Sequence, residues 1–153
     1  MLELQEISDR LELMDLMVRY SHAIDTRSWD ELDQVFTPDA TIDYTAFGGP
    51  RGTLEETKLY LASTLSQFPA FQHLLANPEL RIDGDRATGR TMCFNPMGVE
   101  RPEGESGDPR VFFCGLWYLD TFRRTADGWR IASRSEEKSW THNMGRAFGG
   151  SAD

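Results

Sequence analysis

The chain has few of the residues that would announce a specialised scaffold. Only two of its 153 residues are cysteine, Cys93 and Cys114, and they lack C-x-x-C spacing. Each sits inside an apolar run, where a free cysteine acts as a small hydrophobe, so neither a disulfide framework nor a cysteine-held metal is expected. No basic cluster interrupts a net charge of -9. That balance argues against nucleic acid and against an anionic membrane surface as partners. No apolar stretch reaches the ~18 residues needed to span a bilayer. Met1 to Glu6 carry neither a basic segment nor an apolar core, so no secretory signal is read there and a cytoplasmic location is expected. His22, His73 and His142 do not form H-x-x-x-H or another compact ligand set. No G-x-S-x-G elbow is present, and no glycine-rich turn joins a strand to a helix as phosphate and dinucleotide sites require. A metal and an organic cofactor are both unexpected.

What is present is enough for one folded domain. Hydrophobic residues make up 39% of the chain and aromatics 11%, which is the composition of a globule able to bury a core. Ile7, Leu11, Met14 and Val18, with Leu4, Leu13, Leu16 and Met17, recur at helical spacing through Ile24 and predict an amphipathic helix of about five or six turns. Ser28 and Glu31 have the spacing of a capping box for a short second helix that ends before Pro38. Residues 41–45 alternate as a strand, 47–52 form a turn-rich loop, and Thr53 with Glu56 caps a third helix over 54–67, stopped by Pro69.

After Pro69 the period falls from 3.6 to 2. Residues 71–82 and 86–96 read as strands around the turn Asp83-Gly84-Asp85, and residues 98–109 as a polar loop. Residues 110–125 and 129–140 form a second hairpin around Ala126-Asp127-Gly128. The reading is one domain over 1–140 and a flexible tail over 141–153. Helices grouped before antiparallel strands give an α+β class, a cone-shaped α+β barrel with three N-terminal helices packed on a strongly curved, mostly antiparallel sheet. A pocket is expected at the cone's open end.

Several spaced residues carry a resemblance. Tyr20 and Asp25, Trp29-Asp30, Phe36 with Asp39-Ala40, Phe71, His73 and Asn77, Asp83-Gly84-Asp85 with Ala87, and Arg124 with Gly128-Trp129-Arg130-Ile131 follow one another over nearly the whole chain. This ordered set resembles the SnoaL-like branch of the nuclear transport factor 2 superfamily. The family includes scytalone dehydratase, bile-acid 7α-dehydratase and hexachlorocyclohexane dehydrochlorinase, besides cyclases and members that only bind or scaffold. The resemblance implies that Asp25, ending the first helix, and His73, opening the first long strand, form an acid-base dyad. A neutral imidazole can take a proton from an acidified carbon while a carboxylate fixes its tautomer and stabilises the imidazolium. For the same residues the alternative is that Asp25 caps a helix or turn and His73 is a satisfied core histidine.

Tyr20 and Tyr44 are the candidate phenols for polarising a substrate carbonyl or leaving oxygen. Tyr20 stands where the dehydrochlorinase has a lysine, which favours oxygen chemistry over a halide. Strand parity from Ala87 aims Asn95 inward, where it could hold a substrate oxygen but not exchange protons. Tyr118 and Arg134, on the third and fourth long strands, complete the candidate substrate contacts; a solvated or interface ion pair is the plainer role for Arg134. The implied function is a cofactor-independent lyase or isomerase, dehydratase-like, acting on a small apolar cyclic or polyketide-like molecule. The alternatives are a noncatalytic pocket protein or accessory subunit of the same fold, and a cyclase or epoxide-opening enzyme, which needs an Asp paired with an acid or Arg in the pocket. The two long aromatic strands are apolar on both faces and call for covering, so a homo-oligomer is expected; the resemblance implies a trimer before a dimer.

Overall fold

The chain opens with a helix, α1 (Leu4–Asp25), in the computed structural model, which describes residues 1–101, 103, 106, 107 and 110–144. Its inward face is Asp9, Leu13, Leu16, Met17, Tyr20, Ala23 and Ile24. The sequence offers two apolar stripes on this helix, and the one expected inside is largely outside. Leu4, Ile7, Leu11, Met14 and Val18 are all exposed. Asp9 and Tyr20 decide the rotation, because both find hydrogen-bonding partners in the interior that the other stripe lacks.

The second expected helix is a 3₁₀ segment, Trp29–Gln34. Ser28 precedes it but makes no capping bond with its side chain, whose hydroxyl lies instead 3.0 Å from that of Thr26. The capping box of Thr53 and Glu56 does form, and α2 spans Leu54–Leu65, stopping two residues earlier than expected. A short 3₁₀ turn, Thr45–Phe47, takes Thr45 out of the strand expected there; the Asp43 carboxylate bends the chain by accepting from the Thr45 amide and hydroxyl.

Six strands form one mixed sheet in the order β2-β1-β6-β5-β4-β3. They are β1 (Phe36–Asp43), β2 (Arg51–Gly52), β3 (Leu74–Asp83), β4 (Arg86–Val99), β5 (Arg110–Thr125) and β6 (Gly128–His142). Every pairing is antiparallel except β1 with β6, which is parallel, Phe36 lying opposite Ile131 and Ile42 opposite Arg134. Pro38 does not end an element; it falls in the register shift of β1 between Phe36 and Thr41, where no ladder donor is missed. β3 starts at Leu74 and not at Phe71, which makes only an isolated bridge to Met97. Of the expected tail, Thr141 and His142 extend β6, and residues 145–153 lie outside the described residues. The helices cover one face of the sheet, and the core lies between them, built from residues such as Leu16, Ile24, Phe36, Ile42, Phe112 and Trp129. No helix is long and apolar enough to cross a membrane among the described residues.

Candidate functional site

The end of α1 is tied to the chain segment that enters β3. Thr26 closes the helix with its amide and hydroxyl on the His22 carbonyl, and Arg27 then adopts a left-handed φ of 57°. From there its guanidinium donates to the Phe68 carbonyl at 2.8 Å and lies 4.9 Å from the centre of the Phe71 ring. This clasp brings Asp25 against His73. The Asp25 carboxylate accepts the His73 backbone N–H at 3.0 and 3.2 Å and meets the ring Nδ1 at 2.7 Å. Held this way, Nδ1 carries the proton and Nε2 offers its lone pair. Side-chain exposure is 7% for His73 and 23% for Asp25, so the imidazole is the more enclosed partner.

Nε2 meets the Asn95 Nδ2 at 3.1 Å. Parity along β4 is as expected, with Ala87, Thr91, Cys93 and Asn95 all buried on the inner face. The amide Oδ1 of Asn95 is buried with no hydrogen-bond partner among the described residues. A half-turn of that amide exchanges donor and acceptor, so one side chain can serve the neutral ring through Nδ2 and the protonated ring through Oδ1.

The phenols meet above the same cavity. Tyr20 and Tyr44 hydroxyls are 2.8 Å apart, and the Tyr20 hydroxyl is 3.5 Å from that of Tyr118. All three side chains are buried, and burial raises their pKa values, so they remain hydrogen-bond donors at neutral pH. Arg134 is placed differently from the sequence expectation of a solvated or interface ion pair. It is fully buried and bidentate to Asp120 at 2.7 Å through both bonds, and its guanidinium lies 3.9 Å from the Tyr20 ring centre and 4.0 Å from that of Tyr118. It is not among the residues lining the cavity; its positive charge acts on the phenols from behind, opposing the effect of burial on Tyr20 and Tyr44.

The cavity itself is about 110 Å³. Tyr20, Tyr44, His73, Asn95 and Tyr118 line it, together with apolar walls from Ile24, Leu61, Leu65 and Leu116. Of the seven residues singled out in the sequence, five therefore line one void, Asp25 stands behind His73, and Arg134 stands behind the phenols. A cavity of about 150 Å³ accepts benzene, so this one has room for a group somewhat smaller than that ring. Cys114 also lines it, but burial pushes its thiol up to about 11, and that of nearby Cys93 up to about 12, so neither is a thiolate nucleophile.

Sequence reasoning missed Glu136. It lines the cavity, opposite Tyr118 in the β5–β6 register, and burial raises its carboxyl to about 7 against the opposing pull of Arg134. The signal was available in parity, since Glu136 is two residues beyond Arg134 on the same strand face.

Comparison with known proteins agrees with this architecture. The SnoaL-like domain family matches residues 5–135. The uncharacterized protein Rv2910c of Mycobacterium tuberculosis H37Rv is 51% identical over 145 residues, covering 94% of this chain and 95% of that protein. Among solved structures, the Kfla4162 protein from Kribbella flavida is 28% identical with a TM-score of 0.81, covering 94% of this chain and 99% of the other. A putative scytalone dehydratase from Novosphingobium aromaticivorans is 17% identical with a TM-score of 0.77, covering 90% and 89%. A hexachlorocyclohexane dehydrochlorinase, LinA-type3 from Novosphingobium barchaimii, is 17% identical with a TM-score of 0.74, covering 90% and 91%. At those last two identities the likeness is one of fold. With its helices on a mixed sheet and its sequence matched over most of its length, the chain belongs to the SnoaL-like domain family and has the nuclear transport factor 2-like fold.

Proposed function

We propose that the protein is a cofactor-independent lyase or isomerase, dehydratase-like, that deprotonates a carbon next to a carbonyl in a small, largely apolar cyclic or polyketide-like molecule. One observation carries the reading: the 2.7 Å contact between His73 Nδ1 and Asp25 at the wall of a cavity that four tyrosines line. In the proposed step the α C–H bond breaks, its proton passes to His73 Nε2, and the electron pair moves onto the carbonyl oxygen. That oxygen accepts a hydrogen bond from the Tyr20 or Tyr44 hydroxyl, whose proton burial retains. Asp25 stabilises the imidazolium that results. The Asn95 amide gives up Nε2 to the substrate and afterwards accepts from it through Oδ1.

A second reading rests on the same amide. With Asn95 on Nε2 and Asp25 on Nδ1, both ring nitrogens have partners, which is the condition of a structural histidine in a ligand-binding protein. Exchange of α-hydrogens separates the two. In deuterium oxide the protein should catalyse deuterium uptake into cyclopentanone, read by proton NMR, and His73→Gln should abolish it. Binding without exchange would favour the second reading.

Self-association belongs to the proposal. The sheet face away from the helices carries Phe94 stacked on Phe113 at 5.7 Å, with Trp140 47% exposed beside them. We expect copies of this chain to cover that surface, in a trimer before a dimer. A monomer by light scattering would reject this.

A further inference from the structure

The candidate dyad supplies a base, but elimination also needs a proton for the group that leaves. Glu136 is placed to give one. Its carboxyl lines the same cavity as His73 and Asn95, yet it belongs to β6, at the other side of β5 from the strand that carries Asn95. His73, with Asp25 behind it, and Glu136 thus reach the void from different elements, with different company. Asp25 is held by the His73 backbone and ring. No hydrogen bond to the Glu136 carboxyl is found among the described residues.

Burial is the main reason Glu136 can hold its proton, against the opposing charge of Arg134. Arg134, two residues before it, is already matched by both oxygens of Asp120. Asp43 of β1 adds a like charge. Tyr118 from β5, Tyr20 from α1 and Tyr44 beyond β1 are neutral phenols around the same void, and Lys138 lies 5.7 Å from the centre of the Phe47 ring. With its pKa raised to about 7, Glu136 is substantially in the acid form at neutral pH. Two carboxyls in different surroundings, one held on an imidazole and one raised by burial, is a recurring arrangement for acid-base chemistry.

We propose that Glu136 is the general acid of this site, donating its proton to a hydroxyl that departs from the carbon next to the one His73 deprotonates. This rests on the reading of His73 as the base. The balance closes without a further reactant. His73 Nε2 takes the α-proton, the electron pair forms the carbon–carbon double bond, and the β C–O bond breaks as the oxygen receives the Glu136 proton and leaves as water. The imidazolium and the Glu136 carboxylate then return to their starting states by one net proton transfer. The buried Oδ1 of Asn95 is a second polar atom at this cavity that a hydroxyl could satisfy.

Two probes separate the acid from the base. Cyclopentanone exchanges its α-hydrogens without losing a group, whereas 3-hydroxycyclopentanone forms an enone, followed by its ultraviolet absorbance, only if the hydroxyl leaves. Glu136→Gln should keep the exchange near the wild-type rate and lower the elimination by about a hundredfold or more, with Glu136→Asp restoring part of it. Wild-type elimination should decline above about pH 7, where Glu136 loses its proton. Equal elimination by wild type and Glu136→Gln overturns the proposal, as does loss of exchange and elimination in the same proportion. Exchange without elimination in the wild type overturns Glu136 and leaves His73 standing; no exchange at all sinks the reading of His73. A ligand-free measurement guards the premise. A buried acid that ionises only near pH 7 makes the fold lose stability as pH rises from 4.5 toward 7. Glu136→Gln should therefore melt higher than wild type at pH 8 and gain nothing at pH 4, and equal differences at both would refute a buried neutral carboxyl.

Discussion

The two ends of α1 each set a carboxylate against the sheet side of the molecule, Asp9 buried and Asp25 partly exposed, and the two keep different company. At the N-terminal end Asp9 accepts both Nη1 and Nη2 of Arg124, at 2.7 and 2.8 Å, and the Trp129 indole N–H at 3.1 Å. Arg124 in turn reaches Asp85, locking the helix to two hairpin turns at once. Every partner there is a permanent donor. At the C-terminal end Asp25 also fixes the helix to the sheet side, but its main partner is an imidazole that can gain or lose a proton beside a void. A carboxylate surrounded by permanent donors holds structure, and one whose partner titrates next to a cavity can do chemistry.

That contrast can be broken by mutation. The largest expected effect is on turnover: His73→Ala should lower α-hydrogen exchange by about 10²–10⁴-fold while the melting temperature stays near the wild-type value. Next comes stability at the other end. Asp9→Ala leaves the Arg124 guanidinium and the Trp129 indole without their acceptor and should cost about 3–5 kcal/mol in urea unfolding, with the cavity chemistry unchanged in the fraction that folds. Asp25→Asn keeps an acceptor for the His73 backbone but removes the charge, so exchange should fall by roughly a hundredfold with a smaller loss of stability than Asp9→Ala. If Asp25→Asn destabilised as much as Asp9→Ala and left exchange intact, the two ends would be alike and the functional reading of Asp25 would be lost.

The smallest effect is in acid. Arg124 and Trp129 hold Asp9 at about 2, below the ordinary aspartate value of 3.8, with burial opposing them. A depressed carboxylate stabilises the fold above its unfolded pKa, and that contribution disappears as pH falls from 3.8 through about 2. Wild-type melting temperature should drop across this window, and Asp9→Asn should show a flatter profile.

Some of this was readable from residue order for physical reasons. Asn95 faces inward because β4 alternates without interruption from Arg86 to Asn95. Thr53 caps because its hydroxyl and the Glu56 carboxylate both close on backbone donors. Ser28 has the same spacing and does not cap, since the local backbone turns as a 3₁₀ segment; Ser28→Ala should therefore cost less than the ~1 kcal/mol of Thr53→Ala. The rotation of α1 was not legible: two apolar stripes compete on one helix, and only the tertiary partners of Asp9 and Tyr20 choose between them. Glu136 escaped because an acid on a strand next to Glu137 reads as solvent-facing, although it shares its strand face with Arg134. The dyad was suggested by resemblance, and its contact is a matter of geometry that no spacing of 48 residues could supply.

The parallel pairing of β1 with β6 has a consequence for how the chain is made. Phe36 must wait for Ile131 before it has its strand neighbour, so the first third of the protein leaves the ribosome with an open backbone edge. A nascent chain halted before Gly128 already contains both members of the dyad but lacks the wall that carries Glu136. Protease resistance of stalled chains should accordingly rise late, once β6 has emerged, and early resistance would show that the helices and the first hairpin stand without it.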